Sequence, residues 1–105
     1  MGFNTIRVPF SSQMLTRTTP PTGINYNLNS DLLGLSPLQC LDALVSYCGK
    51  VGIRVILTRN SCYGGQEWNE KYWFVPSDSY YTEGQFSADW LLLSERYKGA
   101  CLCLC

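Results

Sequence analysis

Residues 5–10, Thr-Ile-Arg-Val-Pro-Phe, form a nearly continuous apolar run interrupted by Arg7, the pattern of a strand covered on both faces of a parallel sheet. A second run, residues 53–58 (Ile-Arg-Val-Ile-Leu-Thr), is β-branched and apolar and predicts a second buried strand. Between them Leu41, Leu44, Val45 and Cys48 recur at helical spacing. Ser36-Pro37-Leu38-Gln39 opens that helix with a Ser N-cap, a Pro at the first helical position and a Gln that closes a capping box, and Gly49 is placed to end it. The short Lys50-Val51-Gly52 turn then makes strand, helix and strand a βαβ unit with a right-handed crossover.

A further helix follows from Phe86, Trp90, Leu93 and Tyr97, opened by the capping-box pattern Thr82-Glu83-Gly84-Gln85 and closed at Gly99. Two long segments remain. Residues 11–35 are polar, and Pro20-Pro21 and Gly23 forbid regular structure over much of them. The interleaved Met14, Leu15, Ile24, Tyr26 and Leu28 predict a loop packed on a surface. Residues 61–81 hold Tyr63, Trp68, Tyr72, Trp73, Phe74, Tyr80 and Tyr81, half of the chain's aromatic side chains. Loops of this length in compact domains are usually functional or disordered.

Both long loops follow the carboxyl ends of strands, whereas the helix-to-strand turn is minimal. That asymmetry is how a (β/α)8 barrel builds a site on one face. A doubly wound sheet also places ligands at strand ends, but no glycine-rich phosphate loop follows either strand.

Eight basic and eight acidic residues leave no net charge. The broad positive field that draws proteins to nucleic acid or anionic lipid is therefore missing, and neither partner is expected. No apolar run approaches the roughly 20 residues of a membrane helix, and Met1-Gly2-Phe3-Asn4 does not read as a secretory leader. Of the six cysteines, Cys40 and Cys48 fall on one predicted helix about 12 Å apart at 1.5 Å per residue, beyond disulfide reach, and read as small core residues.

Residues 100–105 read as an aberrant Cys/Leu tail, set apart from a unit spanning residues 1–99. Cys101-Leu102-Cys103-Leu104-Cys105 spaces its thiols too closely for a structural zinc site, and the chain has no histidine, so no metal or other cofactor is expected. A strand that begins with the chain and a helix that runs into this tail lead us to expect a slice of a larger domain. Its two open sheet edges and an uncovered barrel interior predict aggregation or dependence on a partner.

Gly2-Phe3-Asn4-Thr5-Ile6-Arg7-Val8-Pro9-Phe10-Ser11 resembles the second-strand signature of glycoside hydrolase family 5, the cellulase-like retaining enzymes. The resemblance continues through Leu35-Ser36-Pro37-Leu38-Gln39, Gly52-Ile53-Arg54-Val55-Ile56-Leu57, the aromatic segment Tyr72-Trp73-Phe74-Val75-Pro76, and Asp89-Trp90 to Arg96-Tyr97-Lys98-Gly99. It implies an α/β fold, a fragment of a (β/α)8 TIM barrel covering roughly strands 2 and 3 with their helices. It also implies a parent enzyme that hydrolyses O-glycosyl bonds in β-glucan or cellulose-type polysaccharides, with a polysaccharide or oligosaccharide as partner and an extracellular address.

A retaining glycosidase needs two carboxyl groups about 5 to 5.5 Å apart. In the family these glutamates stand on the fourth and seventh strands, so the resemblance implies that no catalytic residue lies in this chain and that it is inactive alone. Asn69-Glu70 looks like the family's Asn-Glu pair, but it lies in a loop and precedes Lys71 where the family has proline.

Arg7 matches the arginine that supports the catalytic carboxylate from beneath; its plainer reading is a structural ion pair, and in a slice without that partner it is expected to be exposed or destabilising. Where the family commonly has Asp-x-His, the chain has Thr58-Arg59-Asn60, which leaves Asn60 to hydrogen-bond sugar hydroxyls. Trp68, Tyr72 and Trp73 are the expected substrate-binding walls, flat rings against the apolar faces of pyranoses, unless they only pack the loop on the rim. Two rival readings are a non-catalytic carbohydrate-binding piece using residues 63–81 and a small cysteine-rich metal-binding protein.

Overall fold

The computed structural model describes residues 2–65, 77, 81–100 and 102–104. Three parallel strands lie in the order β1 (Thr5–Ser11), β2 (Arg54–Ser61), β3 (Leu102–Leu104). The helices are α1 (Ser12–Thr16), α2 (Pro37–Val51) and α3 (Glu83–Arg96). Sheet order follows chain order because each crossover returns the chain one strand further along, as in the expected βαβ unit.

α2 begins as its sequence dictates. The Ser36 hydroxyl accepts from the Gln39 N–H at 3.3 Å, and Gln39 Oε1 accepts from the Ser36 N–H at 2.8 Å. It ends one turn later than expected, at Gly52 rather than Gly49. Gly52 takes the left-handed conformation, φ 78°, and its N–H returns to the carbonyls of Cys48 and Gly49. A glycine in a helix costs about 1 kcal/mol, so Gly49 is tolerated inside the last turn. Only the residue at the reversal needs positive φ.

At the head of α3 the capping box is half formed. Thr82 accepts from the Gln85 N–H at 3.2 Å, but the Gln85 side chain turns down the helix and donates to Asp89 Oδ1 at 2.8 Å. A buried carboxylate is the stronger acceptor and draws the amide away from the cap.

The segment expected as one long loop contains α1 and a 3-10 turn at Ser30–Leu32. Leu15 is buried and Met14, Ile24 and Tyr26 are half-buried, as a surface-packed segment requires, whereas Leu28 stands in solvent. The strands also run further than the apolar pattern marks, β2 continuing through Arg59, Asn60 and Ser61. Ladder hydrogen bonds do not need apolar side chains.

The core is one-sided. Phe10, Leu41, Val45, Cys48, Val55, Leu57, Leu93 and Tyr97 pack between the sheet and the helices. On the other face of the sheet Arg7, Pro9 and Asn60 are exposed, so the expectation of strands covered on both faces holds for one face among the described residues. The two-strand expectation is exceeded. Leu102–Leu104, read from sequence as part of a tail, pairs in register with Val55, Ile56 and Leu57.

Candidate functional site

The open face gathers its polar groups toward the carboxyl ends of β1 and β2. Arg7 aligns with Ile56, and its guanidinium reaches forward to donate from Nη1 to Thr58 Oγ1 at 3.2 Å. Among the described residues Arg7 makes no ion pair, as expected of a slice without its carboxylate partner. It is exposed and holds a hydroxyl on the neighbouring strand.

Asn60 lies two residues beyond Thr58 and is exposed. The pairing passes from Phe10↔Arg59 to Ser11↔Ser61, so Asn60 is the extra residue of a bulge. Bulges re-aim side chains and occur beside sites; this one frees the Asn60 amide at the strand end. The structure thus brings Arg7, Thr58 and Asn60 onto one surface. Trp68, Tyr72 and Trp73 lie outside the described residues, as do Glu67 and the Asn69-Glu70 pair.

Beneath this surface Arg59 points to the helix-covered side. Its Nε donates to Ser12 Oγ at 2.8 Å, its Nη2 to Cys62 Sγ at 2.5 Å, and its guanidinium carbon lies 5.4 Å from the centroid of the Phe86 ring. One side chain thereby joins the start of α1, the end of β2 and α3. Sequence reasoning passed over Arg59 because it sits in a motif position with no assigned role. The available signal was a cation one residue past an apolar strand with a serine at the matching end of the other strand.

Gln13 continues the tie: its N–H donates to the Cys62 carbonyl at 2.9 Å and its Oε1 accepts from the Gly64 N–H at 3.2 Å. Tyr63 and Tyr81 pack edge to face with centroids 4.7 Å apart, so the two sides of the aromatic segment meet at its base.

Neither β1 nor β2 carries an aspartate or glutamate. Asp42 belongs to α2 and is bound by Arg96, which holds its carboxyl below the usual carboxylate range. Asp89, on α3, is buried with Oδ1 accepting from Gln85 and Oδ2 unpartnered. Among the described residues no three His, Cys, Asp or Glu side chains group as metal ligands. Cys40 and Cys48 are both reduced thiols on α2; burial, and then the Asp31 carboxylate, push the Cys40 thiol up. No helix among the described residues is long and apolar enough to cross a membrane. What the open face offers chemically is hydrogen bonding to hydroxyls from a guanidinium and an amide.

The model of the cellulase family, glycosyl hydrolase family 5, matches residues 1–101. An endoglucanase of Paenibacillus polymyxa is 37% identical over 97 residues, which are 92% of this chain and 23% of that protein. The major extracellular endoglucanase of Xanthomonas campestris pv. campestris is 37% identical over 100 residues, 93% of this chain and 19% of that protein. Its catalytic domain superposes with a TM-score of 0.77 at 36% identity, covering 93% of this chain and 27% of that one. An endocellulase from Pyrococcus horikoshii, solved in complex with cellotetraose, superposes with a TM-score of 0.76 at 32% identity, covering 91% and 24%. The chain spans about a quarter or less of the length of these relatives.

Proposed function

The chain belongs to glycosyl hydrolase family 5, its parallel β/α array being part of a (β/α)8 barrel, and on that premise we propose that these residues form part of the floor and rim of a β-glucan-cleaving cleft. The parent activity is hydrolysis of O-glycosyl bonds in cellulose-type polysaccharides with retention, exported as the Xanthomonas relative's name says of that protein. The observation that carries this is the placement of Arg7, Thr58 and Asn60 on one open face toward the carboxyl ends of the strands, the end at which barrel enzymes hold their chemistry.

In this reading Arg7, steadied by Thr58, supports a carboxylate from beneath. Asn60 hydrogen-bonds sugar hydroxyls, and Trp68, Tyr72 and Trp73 stack on pyranose faces. Because neither β1 nor β2 supplies a carboxyl group, these residues bind sugar without cleaving it. The same fact favours the non-catalytic carbohydrate-binding reading over an active one for this chain.

Titration of the chain with cellotetraose alongside a reducing-sugar assay tests both halves. The expected result is weak binding, reduced several-fold by Asn60→Ala through loss of hydrogen bonds to hydroxyls, with no turnover. Turnover abolished by Glu70→Gln would refute the assignment of catalysis elsewhere. No binding at all would remove the cleft reading.

A further inference from the structure

A hollow of mixed polar and apolar lining, to which neither Arg7 nor Asn60 contributes, lies between α1, the turn that follows it and the start of α2. It encloses about 220 Å³. That is below the roughly 300 Å³ at which pockets for drug-sized ligands begin, so it admits one sugar residue rather than a chain. Its walls divide by chemistry. Met14, Pro21 and Pro37 supply apolar surface, and Ser11, Gln13 and Arg17 supply polar groups.

The polar groups have capacity to spare. Gln13 Oε1 is taken by the Gly64 N–H, which leaves the Gln13 Nε2 donors, and among the described residues Arg17 gives only its Nε, to Thr19 Oγ1 at 2.8 Å. Arg17 closes α1 one turn after Gln13, its N–H returning to the Gln13 carbonyl at 3.1 Å. Among the described residues no acidic side chain lines the hollow, and none of them neutralises the remaining fork of the guanidinium.

A cation beside hydroxyl-binding groups and an apolar wall suits a sugar that carries a carboxylate. Guanidinium and carboxylate match as a bidentate pair, stronger than any hydrogen bond to a neutral hydroxyl, and the C–H face of the ring covers the proline and methionine surface. We infer that this hollow is a subsite for a uronic acid residue, with Arg17 binding the carboxylate and Gln13 and Ser11 the ring hydroxyls. The choice of a sugar as ligand rests on the glucan-cleft reading above. The choice of an acidic one rests on the hollow alone.

Cellobiouronate and cellobiose differ only in the carboxylate, which makes them the matched probes. Calorimetric titration of the full chain is expected to give about tenfold tighter binding of cellobiouronate, the size of one charge-assisted hydrogen-bonded contact. Arg17→Gln is expected to abolish that preference and Arg17→Lys to restore part of it, since lysine keeps the charge without the fork. Arg17 is exposed, and an unchanged unfolding midpoint in both variants is the check that the fold survives.

Equal affinity for the two disaccharides, or a preference that persists in Arg17→Gln, overturns the inference. So does acetate competing as well as cellobiouronate, which marks a bare anion site. An Arg17-dependent preference in a chain that ignores cellotetraose would sink the cleft reading and leave the uronate site standing.

Discussion

Arg96 closes on Asp42 with two parallel hydrogen bonds, Nε to Oδ1 at 2.7 Å and Nη2 to Oδ2 at 2.5 Å, and so fastens the end of α3 to the first turns of α2. The Tyr97 hydroxyl donates to the same Oδ1 at 2.8 Å. Geometry of this kind is the strong form of a surface ion pair. The two side chains remain 40% and 33% exposed, so solvent screening limits the pair to about 1 kcal/mol.

The Arg96 guanidinium holds the folded Asp42 carboxyl below its ordinary value, with the Tyr97 hydroxyl adding to the effect and burial opposing it. A depressed folded value means stabilisation that is present above the unfolded value, near pH 4, and lost as pH falls through the folded one. Asp42→Asn is therefore expected to cost about 1 kcal/mol at pH 7 and to flatten the fall in stability on the acid side. Urea midpoints measured from pH 7 to pH 2 decide it; identical acid slopes in the two proteins would refute the assignment.

Phe10 is buried in the packed face and meets Trp90 edge to face, with ring centroids 5.4 Å apart. Phe10→Ala removes burial and leaves a hole, a loss of about 3–5 kcal/mol. Phe10→Leu keeps most of the volume and forfeits the aromatic pairing, about 1 kcal/mol. Denaturant unfolding of the pair should show that order, and equal losses would mean that the site collapses around either side chain.

The two ends of α2 provide an additivity test. Ser36→Ala removes the N-cap acceptor, about 1 kcal/mol. A Cβ at Gly52 would meet nothing within 4 Å, so Gly52→Ala pays only for the left-handed backbone, again about 1 kcal/mol. Being at opposite ends of the helix, the two should add within a few tenths of a kcal/mol. A large coupling in the double variant would show that capping acts through the whole helix.

Arg59 touches three elements through a fork that lysine does not have. Arg59→Lys is expected to fall nearly as far as Arg59→Met, about 1–2 kcal/mol, because the Nε bond to Ser12 has no substitute. A double-mutant cycle with Ser12→Ala should recover a coupling of about 1 kcal/mol. Zero coupling would mean that the contact carries no stability.

Local signals carried much of this chain. The α2 start was legible because Ser36, Pro37 and Gln39 act within one turn, and the buried stripe of α3 because Leu93 and Tyr97 repeat at helical spacing. The motif order from Gly2 to Gly99 sufficed to place the chain in its family, and with it the barrel.

Tertiary contacts decided the rest, since they join residues the sequence keeps far apart. Arg7 found a hydroxyl on the next strand, 51 positions along the chain, a partner that no local pattern announces. Asn60 became the bulge of β2 because the register slips at Ser11, a relation between two strands that neither strand encodes alone. Leu102–Leu104 reads as tail in isolation and as strand once β2 offers its edge, for hydrogen bonds across a sheet depend on the neighbour and not on the side chains that announce it.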